Sequence, residues 1–391
     1  MINPNYARMV KNYLFAEVAQ RVADYKNAHP GCEIVSMGIG DVTRPLAPTV
    51  VAALRRAADE MGDAATFRGY GPYEGYAFLR DAVSDYYRAR GADVPAKDIF
   101  IGDGAKNDLG AVLDLFEPGA AAVIPDPVYP AYVDASVIAG SRILYAAGTP
   151  ENGFLPGPPQ APADLVYLCS PNNPTGAVYT KEGLRAWVDY ANDCGAVILY
   201  DAAYERFIAD PALPRSIYEI DGADRCAIEF CSFSKTAGFT GTRCGWMVVP
   251  KELSRDGQSL RELWARRAAA KYNGTSYIVQ RGAQAVFTAQ GALEIDANID
   301  YYRANAETLG AALAGAGIRY FGGKNSPYIW FDCGGRASWD VFDLLLDRAN
   351  VVCTPGAGFG ANGEGYCRLT AFGTRENTQR AAARIAAALA Q

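Results

Sequence analysis

The 391-residue chain is nearly without histidine, since His29 is the single one in the sequence. It precedes Pro30 in a turn-like segment, which favours a plain surface position. A Ser-His-Asp or Cys-His triad therefore lacks its imidazole, and any proton transfer must use Lys, Tyr, Asp or Glu. Zinc is disfavoured as well, because the nine cysteines form no C-x-x-C pair, and we expect no bound metal.

Other absences narrow the class of protein further. No stretch approaches the roughly 18 consecutive apolar residues of a membrane span. Residues 1–11 lack the charged start and apolar block of a secretory signal, so the scattered thiols lead us to expect a reducing cytoplasm. A net charge of −6 without a basic stripe argues against a nucleic-acid binder.

Short apolar runs alternate with amphipathic stretches through the middle of the chain. The runs predict buried strands at 121–124, 165–169, 196–200, 227–231 and 245–249. Helical spacing of apolar residues appears between them, for example after Thr180, a predicted N-cap, and up to Gly195, a predicted stop. This alternation predicts an α/β fold with a mostly parallel central sheet and helices on both faces.

The pattern of apolar and polar residues changes near residue 300. A long Ala-rich helix is followed by strand candidates at 328–332 and 351–353 and by a final helix from about Arg375. This pattern predicts a second, smaller α/β domain. The predicted division is an N-terminal arm with part of the small domain (1–40), a large domain (41–295) and a C-terminal small domain (296–391).

The strongest chemical motif is residues 232–235, Ser-Phe-Ser-Lys, which follow a predicted strand and precede Arg243. The hydroxyls of Ser232 and Ser234 and the guanidinium fork suit a phosphate dianion. A lysine amine with a lowered pKa condenses with an aldehyde, so Lys235 is a candidate nucleophile. Taken alone, Ser-x-Ser-Lys occurs in many loops by chance, and a plain loop is the alternative.

Two further predicted strands end in polar side chains. Asp201 follows the strand at 196–200, where open α/β sheets bind ligands, and a carboxylate there needs a partner such as a pyridinium N–H. An N-cap is the alternative role for it. Residues 170–176 (SPNNPTG) follow the strand at 165–169 and predict a sharp turn from which Asn173 could reach a ring oxygen.

The fourth motif is residues 103–106 (DGAK), at the start of a predicted helix. The free N–H groups and the dipole of a helix N-terminus suit a phosphate. Tyr129 follows another predicted strand and could stack on a flat heteroaromatic ring, or it could be a packed loop residue.

These four motifs, in this order along one chain, resemble the class I and II aminotransferases of pyridoxal-phosphate (PLP) fold type I, and the likeness covers nearly the whole sequence. The resemblance implies that Lys235 is the Schiff-base lysine and the proton shuttle, and that Asp201 pairs with the pyridine nitrogen. Tyr204 and Asn173 would hydrogen-bond the ring hydroxyl, with Tyr204 counted in the catalytic group. The remaining cofactor contacts that it implies are Tyr70, Ala105, Lys106, Tyr129, Ser232, Ser234, Arg243 and Asn273.

The same resemblance implies a substrate clamp and a homodimer. Arg368, in a Cys-Arg-Leu sequence, would hold the substrate α-carboxylate bidentately. Tyr70 would reach the cofactor phosphate of the partner subunit, and Asn273 would also act across the interface.

Several segments resemble the LL-diaminopimelate aminotransferase family in particular, namely 12–15 (NYLF), 38–41 (GIGD), 68–72 (RGYGP), 103–106 (DGAK) and 321–323 (FGG). That family interconverts LL-2,6-diaminopimelate and tetrahydrodipicolinate, with 2-oxoglutarate and glutamate as the other pair. The substrate contacts that the resemblance implies are Tyr13, Gly40, Lys106, Tyr129, Asn173, Asn273 and Arg368. The chain departs from the pattern at Tyr73, where an acid or amide is usual, and Glu74 is the candidate substitute.

Other functions stay open on the sequence. An aminotransferase for aspartate, alanine or aromatic amino acids, or a C–S lyase, would use the same scaffold. A PLP-binding regulator without turnover is a different class, although the first 35 residues are too few for a DNA-binding module. Residues 358–363 match G-x-G-x-x-G, but a dinucleotide site also needs a following helix and an acid about 20 residues on, and neither is evident.

Overall fold

The computed structural model describes residues 1–9 and 14–389. Its strands are β1 (Val35–Ser36), β2 (Ile99–Gly102), β3 (Ala121–Asp126), β4 (Arg142–Ala147), β5 (Leu165–Cys169), β6 (Val197–Asp201), β7 (Ala227–Ser232), β8 (Gly245–Val248), β9 (Ser254–Arg255), β10 (Gln258–Ser259), β11 (Tyr320–Gly322), β12 (Tyr328–Asp332), β13 (Val351–Val352), β14 (Thr354–Pro355) and β15 (Tyr366–Thr370). Its helices are α1 (Leu14–Ala28), α2 (Pro48–Gly62), α3 (Ala77–Arg88), α4 (Ala105–Ala111), α5 (Pro130–Ala139), α6 (Lys181–Cys194), α7 (Phe233–Ala237), α8 (Leu260–Lys271), α9 (Tyr277–Ala285), α10 (Ala289–Gly315), α11 (Ser338–Ala349) and α12 (Arg375–Leu389).

A seven-stranded sheet, which we call the large sheet, has the order β2-β8-β7-β6-β5-β3-β4. The strands from β4 to β7 pair in parallel, whereas β8 runs antiparallel to β2 and to β7. The prediction of a mostly parallel central sheet is confirmed. Each of the five predicted runs coincides with a strand to within two residues at either end.

Helices cover both faces of the large sheet because alternate residues of a strand point to opposite sides. On one face, Tyr200 of β6 belongs to the same core as Trp187 of α6. On the other, Leu199 belongs to a core with Leu109 of α4. Strands that are buried on both faces need continuous apolar sequence, which explains the runs seen in the middle of the chain.

The parallel strands leave their carboxyl ends at one edge of the sheet, so the loops after β3, β5, β6 and β7 converge there. Local signals fix the connecting helices. Thr180 caps α6 by accepting a hydrogen bond from the Gly183 N–H at 3.1 Å, and Gly195 ends it with φ of 77°, as predicted.

A four-stranded antiparallel sheet, which we call the small sheet, has the order β11-β12-β15-β14. The strand β1 pairs in parallel with β13, which brings an N-terminal segment to the C-terminal part of the chain. The helix α10 begins at Ala289, before the predicted domain start at 296, and the division into three segments stays a prediction. Across the described ranges, no helix combines the length and apolar character that a membrane crossing requires.

Candidate active site

A cavity of about 390 Å³ opens where the carboxyl ends of the large sheet face the small sheet. Its size suits a small-molecule ligand. The sequence-predicted residues that line it are Gly40, Ala105, Lys106, Tyr129, Asn173, Asp201, Tyr204, Ser232, Ser234, Lys235, Arg243 and Arg368. Folding thus brings together side chains from segments that are far apart in the sequence.

Two predicted residues line a different cavity, and a third lies outside the described part of the chain. Tyr70 and Asn273 line a separate cavity of about 440 Å³, together with Tyr76 and Tyr277. The Tyr70 side chain is among the most exposed large side chains of the described ranges. Tyr13 lies outside the described residues. Tyr70 and Asn273 are therefore neighbours on one surface, and neither lines the cavity around Lys235 of its own chain.

Lys235 lies on the short helix α7, which directly follows β7. The Ser232 hydroxyl accepts a hydrogen bond from the Ser234 N–H at 3.1 Å and so starts this helix. The Lys235 ammonium donates to the carbonyl of Gly40. Burial lowers the pKa of Lys235 to about 8, the Asp41 charge opposes that shift, and the Arg368 and Arg243 charges add to it. A buried amine with this pKa is neutral often enough to act as a nucleophile.

Asp201 is the last residue of β6 and is buried at the cavity wall. Its Oδ2 accepts from the Tyr132 hydroxyl at 2.5 Å, and its Oδ1 accepts from the Ala203 N–H at 2.9 Å. Burial raises the pKa of Asp201, whereas these two hydrogen bonds lower it. No cation of the described residues contributes to that balance, so the carboxylate suits a ligand that brings its own positive N–H.

Arg243 brings a guanidinium to the wall of the cavity. Its Nη1 donates to the Ser234 hydroxyl at 3.2 Å and to the Thr240 carbonyl at 3.3 Å. Gly104, directly before α4, has φ of +124°, and a Cβ there would lie 2.6 Å from Arg243 Nη2. Glycine is therefore required for the close approach of this loop, and the guanidinium and hydroxyls converge as a phosphate demands.

Arg368, in the middle of β15, is 1% exposed. Its Nη1 donates to Asn173 Oδ1 at 2.6 Å and its Nη2 to the Gly38 carbonyl at 2.7 Å, while its Nε has no partner. Burial lowers its pKa, and none of the described carboxylates forms an ion pair with it. A buried guanidinium that meets only neutral oxygens suits a carboxylate ligand, because that ligand supplies the missing charge.

Tyr204 and Asn173 line the same cavity as Arg243 and Arg368. The Tyr204 hydroxyl lies 2.7 Å from the Tyr328 hydroxyl, and both tyrosines are buried. Because Asn173 Oδ1 already accepts from Arg368, its amide nitrogen is the group that can donate to a ring oxygen.

Among the lining residues that sequence reasoning missed, two tyrosines contact predicted side chains. Tyr132 holds Asp201, and a signal for it existed, since it lies one helical turn beyond Tyr129. Tyr328 carried no motif of its own.

These residues fit PLP. Lys235 suits the aldehyde of the cofactor, and Arg243 suits its phosphate. Asp201 suits the ring nitrogen, which becomes an N–H cation, and the Tyr204–Asn173 pair suits the acidic ring oxygen. All of these residues line the cavity. The buried Asp201 carboxylate without a cation is the observation that fits most specifically.

Similar proteins agree with this chemistry. The model of the family "Aminotransferase class I and II" matches residues 33–385. Proteins named LL-diaminopimelate aminotransferase are 50% identical in Agathobacter rectalis, over 99% of both chains, and 51% identical in Desulfosudis oleivorans, over 98% of both. The solved L,L-diaminopimelate aminotransferase of Chlamydomonas reinhardtii is 40% identical with a TM-score of 0.93, covering 98% of this chain and 97% of its own. A mutant aspartate aminotransferase of Thermus thermophilus, 22% identical with a TM-score of 0.88 and covering 99% of both chains, shares the fold.

Proposed function

The chain belongs to the aminotransferase class I and II family, and we propose that it is a PLP-dependent enzyme that transfers an amino group from LL-2,6-diaminopimelate to 2-oxoglutarate, giving tetrahydrodipicolinate and glutamate. The choice of substrate depends on one observation: along nearly the whole chain, the sequence is 50–51% identical to proteins named LL-diaminopimelate aminotransferase. The buried Arg368 supports it from the structure, because both substrates present an α-carboxylate.

Bound PLP supplies a ring that withdraws electrons from the substrate Cα and so makes its proton removable. The residues of this chain do the rest. Lys235 carries the cofactor and, when released, moves the proton at Cα through its Nζ, for which a pKa near 8 is suitable. Asp201 keeps the ring nitrogen protonated, and Tyr132 keeps Asp201 in place.

The other cavity residues bind and orient. Arg243, Ser232, Ser234 and the backbone of residues 105–106 would hold the phosphate, and Tyr129 would stack on the ring; all of them line the cavity. Arg368 would hold the α-carboxylate in the cavity that Lys235 also lines, so that the lysine could reach the proton at Cα.

The distal end of diaminopimelate carries an ammonium and a second carboxylate. Lys106, whose ammonium lies 5.9 Å from the centre of the Tyr129 ring, is the cavity residue proposed for that carboxylate. Gly40 and Tyr13 complete the proposed contacts of this end. A site built for the distal groups rejects shorter amino acids, since its polar groups would then stay unpaired.

We also propose a homodimer in which Tyr70 and Asn273 complete the site of the partner subunit. The support is their shared position on one surface with an exposed Tyr70 side chain. Glu74, beside Tyr73, remains the candidate for the distal ammonium, and a cytoplasmic location stays a prediction.

The test is a comparison of amino donors with 2-oxoglutarate as the acceptor. We expect glutamate to form from LL-diaminopimelate with a kcat/KM at least ~100-fold above that for aspartate, alanine or phenylalanine. The Lys235→Ala variant, assayed beside it, should form none. Absence of glutamate from LL-diaminopimelate, or equal use of aspartate, would rule the substrate out.

A further inference from the structure

Tyr328 contacts two functional side chains of the active site, although no sequence motif pointed to it. It begins β12 of the small sheet, is 1% exposed and lines the main cavity. Its hydroxyl and its ring face contact two different functional side chains, Tyr204 and Arg368. These two side chains belong to opposite sides of the cavity, because Tyr204 follows β6 of the large sheet and Arg368 lies in β15.

The first contact is between hydroxyls. The Tyr328 and Tyr204 oxygens lie 2.7 Å apart, and the two rings meet edge to face with centroids 5.1 Å apart. Burial raises the pKa of Tyr204 well above its ordinary value, so its hydroxyl keeps its proton and can donate it to an acidic ring oxygen. When Tyr204 donates in that direction, its own oxygen is left to accept, and Tyr328 is the donor that faces it.

The second contact is between a ring face and a cation. The Arg368 guanidinium carbon lies 4.4 Å from the centre of the Tyr328 ring, within the range of a cation–π contact. Asn173 and the Gly38 carbonyl hold two nitrogens of this guanidinium, and the Tyr328 ring lies nearer to its carbon than the Phe359 ring, whose centre is 4.9 Å away. Hydrogen bonds and ring contacts thus both restrict where the Arg368 guanidinium can lie.

Tyr328 itself has little freedom to move. Its carbonyl accepts from the Gly323 N–H at 2.8 Å, and its N–H donates to the Ser326 hydroxyl at 3.1 Å. Gly40 packs against its hydroxyl so closely that a Cβ on Gly40 would collide with that oxygen. The hydroxyl is therefore held in one place, as a side chain that orients others must be.

We propose that Tyr328 is a positioning residue with two separable roles. Its hydroxyl directs the Tyr204 hydroxyl toward the cofactor ring oxygen, and its ring holds the Arg368 guanidinium in position for the substrate carboxylate. This inference rests on the proposed function of the cavity. It predicts that removing the hydroxyl and removing the ring affect different measurements.

The hydroxyl role is tested with Tyr328→Phe. Loss of the donated hydrogen bond makes Tyr204 a weaker donor, since hydrogen bonds in a chain strengthen one another. The ring oxygen of the cofactor then keeps more negative charge and holds the neighbouring proton of its lysine linkage more tightly. We expect the pH midpoint of the visible cofactor band to rise by about half a unit, and by more in Tyr204→Phe, where the donor itself is absent.

The ring role is tested with Tyr328→Met, and with Tyr328→Leu as a second variant should the first fail to fold. The dissociation constant of 2-oxoglutarate, read from its perturbation of the same absorbance band, should rise about five-fold, because the cation–π contact is lost. In Tyr328→Phe it should stay within about two-fold, since the ring remains. Tyr320→Phe, in the same sheet but not lining the cavity, is the matched control and should change neither measurement.

Three outcomes would overturn the proposal. The first is an unchanged pH midpoint in Tyr328→Phe. The second concerns the double variant. If adding Tyr328→Phe to Tyr204→Phe raised the pH midpoint by as much as Tyr328→Phe does alone, the hydroxyl would not act through Tyr204. The third is an unchanged dissociation constant in both ring-deleting variants. The measurements need no turnover, so a wrong substrate would show itself separately, as missing glutamate in the wild-type assay.

Discussion

The large sheet and the small sheet contribute to the same cavity in different ways. The large sheet offers side chains at the ends of its strands, where Asp201 and Ser232 are the last residues of β6 and β7. The small sheet offers side chains from within its strands, above all Arg368 in the middle of β15. Strand ends place loops against a cofactor, whereas a strand interior gives a rigid and dry wall.

The state of the polar groups differs in the same sense. Both oxygens of Asp201 accept hydrogen bonds in the large-sheet part, and Arg243 is bonded to Ser234. In the small-sheet part, Arg368 has a buried Nε without a partner. Asp201 and Arg243 are thus already held by hydrogen bonds in the folded chain, whereas Arg368 keeps an unused donor for a ligand that arrives and leaves in each cycle.

The largest effect is expected in the large-sheet part, from Lys235→Ala. Without the amine, the protein can neither bind the cofactor covalently nor transfer the proton at Cα, so kcat should fall by at least ~10³-fold. The visible absorbance band of the lysine-linked cofactor should be lost as well. A variant that kept both the band and full activity would contradict the assignment of Lys235.

A smaller effect that separates the two sheets is expected from Arg368→Lys. The charge is kept but the bidentate fork is lost, so kcat/KM for both substrates should fall about 100-fold. The absorbance band and the affinity for the cofactor should stay as in the wild type, since the phosphate is proposed to bind at Arg243 and not at Arg368. If cofactor affinity fell as strongly as substrate affinity, the division of labour between the sheets would be wrong.

The smallest effect concerns a buried acid on the large-sheet side that does not line the main cavity. Asp108 of α4 is buried with an unpartnered Oδ2. Burial raises its pKa to about 8, the Asp103 charge adds to the shift, and the Arg267 and Arg243 charges oppose it. The folded chain thus keeps a proton that the unfolded chain releases near pH 4, and stability falls as the pH rises from about 4 to 8.

Asp108→Asn removes this pH-dependent loss of stability, so the melting temperature of the variant should exceed that of the wild type by a few degrees at pH 8 and by little at pH 4.

Asp114→Asn is the control, and the change in its stability should have the opposite sign. Lys271 and Arg267 lower the pKa of Asp114 against the effect of burial, so its loss should slightly destabilise the protein at neutral pH. A pH-independent gain in Asp108→Asn would contradict the explanation by burial.

Most of the large-sheet side could be predicted from the sequence, because parallel strands bring their carboxyl ends to one edge. Once the strands before Asn173, Asp201 and Lys235 were located, their shared edge placed these residues together. The direction of β8 could not be predicted, since a buried apolar run reads alike in either direction. The early start of α10, at Ala289, was also missed.

The small-sheet side was less accessible to sequence reasoning. Tyr328 stands in the apolar run 328–331 (YIWF), where it resembles any core tyrosine. Its contact with Tyr204 depends on how the two sheets pack, which periodicity within one strand does not encode. Arg368 was found only through the family resemblance, since a lone arginine in a strand has no local signal.

The contact between Gly40 and Tyr328 has a consequence for how such enzymes diverge. A side chain at position 40 would collide with the Tyr328 hydroxyl, so the two positions are linked although they lie far apart in the sequence. We expect descendants of this chain to change them as a pair, with a smaller residue at 328 arising before any substitution at 40 is tolerated. The route to a new specificity through this wall of the cavity therefore has a preferred order of mutations.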